Sequence, residues 1–321
     1  MTRLRCAILD DYQDVALRFG DWSGLADRIE TRVFRDHFEA VEDLVAAIGD
    51  CEIVVAMRER TRFPAEVLAR LPNLRLLITT GMRNASIDVA AANARGVAVC
   101  GTRGAGDPTT EHAWALILGL ARHLVTEAAA LRAGGPWQST VGVDLQGKTL
   151  GLIGLGRLGG RVARVGQAFG METVAWSQNL TPERTDELGV RLAPSLDDLM
   201  AASDIASIHL VLSRRTRGLI GARELARMKP SALLVNTSRG PIVDEAALVA
   251  ALRAGTIAGA AVDVFETEPL PADHPMRTAP NLLATPHLGY VTAENYAVFF
   301  RDAVEDVAAF LAGAPVRRLE A

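Results

Sequence analysis

The chain has 321 residues, enough for about two domains of ordinary size. Apolar residues make up 49% and charged residues 22%, a globular balance that excludes disordered, collagen-like and low-complexity classes. Lys and Arg number 34 against 38 Asp and Glu, and the net charge of −4 offers no basic surplus for nucleic acid or an anionic membrane. In chain order, LRCAIL (4–9), EIVVAM (52–57), LRLLIT (74–79) and VAVC (97–100) read as buried strands, with helical patterns over 65–71 and 88–95. One long helix is expected over about 111–131. The strand series then restarts with TLGLIG (149–154), ETVAW (172–176), DIASIHL (204–210), ALLVNT (232–237), AGAAVDV (258–264) and NLLAT (281–285). Leu158, Val162, Val165 and Phe169 are spaced for one face of a helix between the first two of these. A last helix, over 293–311, places Ala297, Phe300, Val304, Val307 and Leu311 on one face.

Strand–helix alternation argues for parallel sheets covered on both faces. Two such series predict two α/β domains. No Ser/Gly-rich linker separates them, so the two long helices are the expected crossovers. Cys6, Cys51 and Cys100 are an odd count without disulfide or metal-ligand spacing, so no metal site is expected and a reducing cytoplasm is. The N-terminal MTRLRCAILDDYQ reaches Asp10 and Asp11 after four apolar residues, too soon for a secretory segment. No apolar stretch approaches the ~18 residues that span a bilayer. No membrane or nucleic-acid partner is expected. The densest basic run, Arg214, Arg215 and Arg217, reads as a solvated face.

GLIGLGRLGGRVA carries Gly154-x-Gly156-x-x-Gly159. With 28 glycines in the chain, this spacing arises by chance about 0.2 times per sequence of this length. Its context is more specific, because a buried strand precedes it and an amphipathic helix follows. A dinucleotide site needs a tight turn at Gly154, backbone approach to the pyrophosphate at Gly156 and close helix–strand packing at Gly159. The acidic residue expected about 20 positions on is replaced by Ser177. There is no carboxylate to repel a 2′-phosphate and no neighbouring Arg in sequence to bind one, so both NAD and NADP stay open as cofactor.

Three later segments belong together. VNTSRGPIVDE sets Arg239 beyond a strand, VDVFETEP supplies Asp263 and Glu268, and TPHLGY supplies His287. Ligands of open α/β sheets gather beyond the carboxyl ends of strands. Through these segments the chain resembles the D-isomer-specific 2-hydroxyacid dehydrogenase family over nearly its whole length. The resemblance rests on GKTLGLIGLGRLG, SIHL, NTSRG with VDE, the spacing from Arg239 to Glu268, and PHLG. It implies two doubly wound parallel-sheet domains, a Rossmann dinucleotide-binding domain over 100–287 inserted in a flavodoxin-like substrate domain of 1–99 and 288–321. It also implies an NAD(P)-dependent enzyme acting on a 2-oxo acid and D-2-hydroxy acid pair, and a homodimer.

By the same resemblance, His287 is the acid/base, because imidazole titrates near neutrality. Glu268 favours its charged form and fixes its tautomer. Arg239 holds the substrate carboxylate with a planar fork that a Lys lacks. Asp263 is implied to orient the nicotinamide carboxamide. Arg157, Leu158, Thr237, Ser238 and Gly289, with Arg239 and His287, complete the implied cofactor contacts. Formate dehydrogenases are similar but carry Gln at the position of Glu268, so Glu268 argues for hydroxyacid chemistry. Corepressors that resemble this family are NADH-sensing binding proteins, the alternative class. Their extra peptide-binding segments and long tails have no counterpart here. Nor is the added C-terminal domain of many phosphoglycerate dehydrogenases expected beyond Ala321.

The family's substrate loop usually reads close to G-x-G-x-D-N-I-D, and its backbone binds the substrate carboxylate. Here it reads GMRNASID, from Gly81 through Met82 and Arg83 to Asp88. Upstream, MRERT offers Arg58, Arg60 and Thr61. An inward Arg83 favours dianionic or longer 2-oxo acids over glyoxylate, whereas one facing solvent does not. VCGTRGAGDPTTEHA departs similarly, with Gly101 and Arg103 in place of Asn and Pro.

Overall fold

In the computed structural model, which describes residues 3–320, every expected apolar run becomes a strand of a parallel sheet. The chain divides into two compact units, Met1–Gly106 with Val291–Ala321, and Asp107–Tyr290. In the first unit the strands are β1 (Leu4–Ile8), β2 (Ile29–Val33), β3 (Ile53–Ala56), β4 (Leu76–Thr79) and β5 (Ala98–Gly101), ordered β2-β1-β3-β4-β5. That is the flavodoxin-like order, with its switch point between β1 and β3. β2 has no apolar run to announce it. IETRV buries only Ile29 and keeps its other side chains at least partly in solvent, as suits an edge strand.

The second unit holds β6 (Thr149–Ile153), β7 (Glu172–Trp176), β8 (Arg191–Leu192), β9 (Ile205–Ile208), β10 (Leu233–Asn236), β11 (Gly259–Val262) and β12 (Leu282–Ala284). Their order, β12-β11-β10-β9-β6-β7-β8, is the Rossmann order with one strand added beyond β11. β8, two residues long, is again an edge strand without an apolar signature. Side chains alternate between two cores, Ile153, Ala206 and Leu234 on one face, Leu152, Ile205 and Val235 on the other. Because both faces are covered, these strands read as continuous apolar runs.

The single long helix expected over 111–131 is two. Pro108–Ala121 and Leu124–Arg132 meet at 63°, with His123 left-handed at φ 50°. The first helix buries Ala113, Trp114, Ile117 and their neighbours, while the second buries none of its residues. Apolar content continued past the point where the sheet could cover it, and periodicity alone does not reveal that. Among the described residues no single helix is long and apolar enough to cross a membrane.

The last helix runs Ala293–Leu311 as expected, and Phe300 and Val307 are buried. So are Asp302 and Asp306, which the apolar pattern passed over. Arg103 grips Asp302 through Nε at 2.9 Å and Nη2 at 2.8 Å. Arg317 donates from Nε to Asp306 at 3.1 Å. These bonds also explain where the chain passes between units, a few residues beyond the expected 99/100 and 287/288. Gly101 N donates to Arg317 O at 3.0 Å and Ala105 N to Asn295 Oδ1 at 2.9 Å, which ties 101–105 to the first unit. Leu288 and Gly289 are tied to Asp263 of the second. The three cysteines are buried free thiols, and burial pushes Cys51 up to about 11 and Cys100 up to about 12.

Candidate active site

β6 lies at the switch point of the second sheet, with β9 on one side and β7 on the other. The glycine turn follows it. Gly154 has φ +106°, and a Cβ there would sit 2.6 Å from His209 O. A Cβ on Gly159 would sit 2.2 Å from Gly154 O, so the helix Arg157–Ala168 starts tight against the turn. Gly156 is different, because a Cβ there would meet nothing within 4 Å. Its missing side chain opens space on the outside of the turn, at the N-terminus of a 12-residue helix. That is the place for a pyrophosphate. Thr237, beyond β10, adds a buried Oγ1 without a hydrogen-bond partner among the described residues. These residues fit a dinucleotide.

The other expected cofactor residues fall around this turn with distinct duties. Leu158 is half-buried and Arg157 exposed. The Arg157 guanidinium contacts Asp107, which also pairs with Arg161 at 2.6 Å. Ser177 follows β7 and is half-buried. Ser238 Oγ donates to Ile208 O at 2.8 Å and so ties the ends of β9 and β10 together. His209, under the turn, is held neutral by burial, which pushes it down to about 4.

The ends of β10, β11 and β12 are neighbours and carry Arg239, Asp263 and His287 in that order. A Cβ on Gly240 would lie 2.0 Å from Phe265 C, so the Arg239 turn packs directly on the segment leading to Glu268. The Arg239 guanidinium is half-buried and donates from Nη1 to Ser238 O at 2.7 Å. His287 Nδ1 lies 2.6 Å from Glu268 Oε2. A carboxylate only accepts, so Nδ1 carries the proton and Nε2 faces away from the pair. Phe265 N donates to Glu268 Oε1 at 2.9 Å and fixes the carboxylate.

Asp263 sits behind this pair. Its carboxylate is 1% exposed and accepts from Thr285 Oγ1 at 2.6 Å, Leu288 N at 2.7 Å, Gly289 N at 2.8 Å and His112 Nε2 at 3.1 Å. Burial opposes its ionisation, yet the His112, Thr285 and Leu288 bonds hold it below the usual carboxylate range. Leu288 and Gly289 directly follow His287, so Asp263 fixes the loop that carries this histidine. Sequence reasoning missed His112 and Thr285. His112 lies 151 residues before Asp263, and no local spacing connects the two.

The first unit gathers its candidates at its own strand ends. Arg58, Glu59 and Arg60 follow β3 and are half-buried. Arg58 Nη1 donates to Thr80 O at 3.2 Å, and its guanidinium fills the space beside Gly81. Arg60 donates to Asp10 O at 2.9 Å and stacks 4.4 Å over Tyr12. Met82, at 45%, and Arg83 are exposed on the loop. Asn84, unnoticed in the sequence, holds that loop by donating to Arg58 O at 2.6 Å and Thr79 Oγ1 at 2.8 Å.

An open glycine turn at the switch point of a Rossmann sheet places the second unit among the dinucleotide-binding folds. Residues 114–289 match the model of the D-isomer specific 2-hydroxyacid dehydrogenase NAD binding domain. The chain is 43% identical over 261 residues to a glyoxylate reductase of Aeropyrum pernix, covering 78% of each. It is 34% identical over 317 residues to a D-3-phosphoglycerate dehydrogenase of Archaeoglobus fulgidus, 98% of this chain but 58% of that protein. The structure of a phosphoglycerate oxidoreductase from Vibrio cholerae superposes with a TM-score of 0.91 at 37% identity, covering 97% of this chain and 100% of that one. The chain belongs to the D-isomer specific 2-hydroxyacid dehydrogenase family.

Proposed function

We propose that this protein interconverts a 2-oxo acid and its D-2-hydroxy acid with a nicotinamide dinucleotide as redox partner, Arg239, Glu268 and His287 carrying the chemistry. The observation that carries the reading is the 2.6 Å contact between His287 Nδ1 and Glu268 Oε2. It sets the tautomer and leaves Nε2 to exchange a proton with the substrate oxygen. In reduction, the hydride reaching the carbonyl carbon comes from the bound reduced nicotinamide. His287 Nε2 gives the proton to the carbonyl oxygen. The Glu268 carboxylate faces the imidazolium that forms when Nε2 is protonated again. Arg239 orients the substrate by pairing its planar fork with the carboxylate, a geometry a point-charge ammonium does not reproduce. Asp263 supports the nicotinamide end and anchors the loop of His287.

The two relatives differ in the substrates that their names carry, so the 2-substituent is the open variable. Within the first unit, Arg58 and Arg60 are half-buried and Arg83 is exposed. A steady-state screen of glyoxylate, pyruvate, oxaloacetate and 2-oxoglutarate with NADH and NADPH tests the reading. Turnover of at least one 2-oxo acid is expected. Tight nucleotide binding with no turnover of any of them would favour the NADH-sensing alternative.

We propose further that the chain acts as a homodimer. The helix Leu124–Arg132 buries no residue and exposes Leu124, Val125 and Leu131. Trp137 at 81% and Val141 at 90% follow it. Ser139 and Thr140 bind Glu127 at 2.9 Å and 2.6 Å, which holds this segment against the helix. An ordered apolar surface of this kind is an interaction surface.

A further inference from the structure

The arginines of the loop after β9 read in sequence as a solvated face and are exposed, and their loop touches the end of β7 at the rim of the nucleotide turn. β7 and β9 flank β6. A dinucleotide with its pyrophosphate at Gly156 directs its adenosine toward the ends of these two strands. There the two loops touch, with Gln178 Nε2 donating to Arg215 O at 3.3 Å. The β9 loop is pinned in place. Thr216 Oγ1 accepts from Ser213 N at 2.8 Å and donates to Val211 O at 2.8 Å. Arg217 turns outward to Glu266, at 2.9 Å. Arg214 and Arg215 are exposed and make no ion pair among the described residues.

The β7 side of this rim is Ser177, Gln178 and Asn179, without a carboxylate. The acidic residues that follow along the chain are Glu183, Asp186 and Glu187 of the helix Pro182–Glu187. Glu187 is paired with Arg184 at 2.6 Å, and Arg184 also donates from Nε to Leu155 O of the turn at 3.2 Å. The β7 side of the rim therefore lacks the group that selects a free ribose hydroxyl pair, and a loop carrying two exposed arginines lies against it.

We propose that Arg214 and Arg215, with the Ser177 hydroxyl, form a subsite for the 2′-phosphate of NADP(H), and that this protein prefers NADP(H) to NAD(H). The proposal rests on the reading of the second unit as a nicotinamide dinucleotide site. A phosphate dianion accepts charge-assisted, bidentate hydrogen bonds from guanidinium groups, whereas a ribose hydroxyl gives them nothing comparable. The basic loop thereby gains a partner that the folded chain does not itself provide.

Equilibrium binding tests this without turnover. Calorimetric titration of the full chain with 2′,5′-ADP and with 5′-AMP should show the 2′-phosphorylated nucleotide bound about 10- to 100-fold more tightly. That advantage should shrink as salt is raised. In the double variant R214A/R215A the ratio of the two Kd values should fall toward one. In Ser177→Asp it should invert in favour of 5′-AMP. NADPH and NADH fluorescence titrations should follow the same ratios, and circular dichroism checks that each variant folds. Equal affinity for the two nucleotides in the unmodified protein, or a ratio that survives R214A/R215A, overturns the subsite and leaves the dinucleotide reading standing. If neither nucleotide nor NADH nor NADPH binds, the dinucleotide reading fails and the subsite fails with it.

Discussion

His287 holds an unfavourable backbone position, with φ +54° at a non-glycine residue. Such strain persists only where the surroundings over-determine it. Here the restraints are the Glu268 contact on the ring and the two amides held by Asp263 immediately after it. The ring is therefore placed by two carboxylates with separate tasks, one on the imidazole and one on the backbone. If Nε2 exchanges the proton with the substrate oxygen, His287→Ala should lower kcat by about 10²–10⁴-fold while NADH or NADPH still binds. Turnover within about tenfold of wild type, beside intact nucleotide binding, would remove His287 from proton transfer. The residue types were readable from the sequence through the motifs that carry the family resemblance, taken together. Their support was not, because His112 and Thr285 meet Asp263 only after the strands align.

At the scale of the element, the glycine turn separates folding from binding. Gly159 is required by the protein, since a Cβ there would overlap Gly154 O, whereas the space beside Gly156 is free of protein atoms. Gly159→Ala should therefore lower the melting temperature, with an overpacking cost of about 1–3 kcal/mol. Gly156→Ala should melt like the wild type and yet bind nucleotide at least about tenfold more weakly, because its methyl takes the ligand's place. Thermal melts and nucleotide titrations of both variants decide it. A cold-melting Gly156→Ala, or one with unchanged affinity, would contradict the assignment of that space to the ligand.

The helix Ala293–Leu311 carries a second element-scale consequence. Burial pushes Asp306 up to about 7 despite Arg317, while Arg103 helps hold Asp302 down at about 2 against its burial. A carboxyl whose pKa rises on folding binds protons more tightly in the native state. Its contribution to stability is present below the unfolded value and is lost as pH rises through about 7. Asp302 works in the opposite sense, and its contribution is lost as pH falls toward about 2. The melting temperature should thus decline between pH 5 and 7 by an amount that Asp306→Asn removes. The same decline in Asp306→Asn as in wild type would assign it to another group.

For the whole molecule, the surface of Leu124, Val125, Leu131, Trp137 and Val141 is the feature a lone subunit does not explain. Sedimentation should show a dimer. Trp137→Asp with Val141→Asp should shift it to monomers, by introducing charge where a second copy would bury apolar area. A double variant that stays dimeric with unchanged affinity would place the interface elsewhere.

Two parallel-sheet domains, the glycine turn, and Arg239, Glu268 and His287 as residues beyond neighbouring strands were all legible in the sequence. Buried strands must be apolar along their whole length, and phosphate binding and proton transfer each accept few residue types at few positions. The tertiary structure alone decided what depends on distant neighbours. It broke the expected long helix at His123, where core cover ended, and added β2 and β8, edge strands with no apolar signature. It buried Asp302 and Asp306 by pairing them with arginines from other segments. It also set the Arg214–Arg215 loop beside Gln178, 37 residues earlier in the chain at the Arg215 contact. Local patterns report which side chains avoid water, while pairing across a sheet or between loops depends on strand order, which no short stretch of sequence contains.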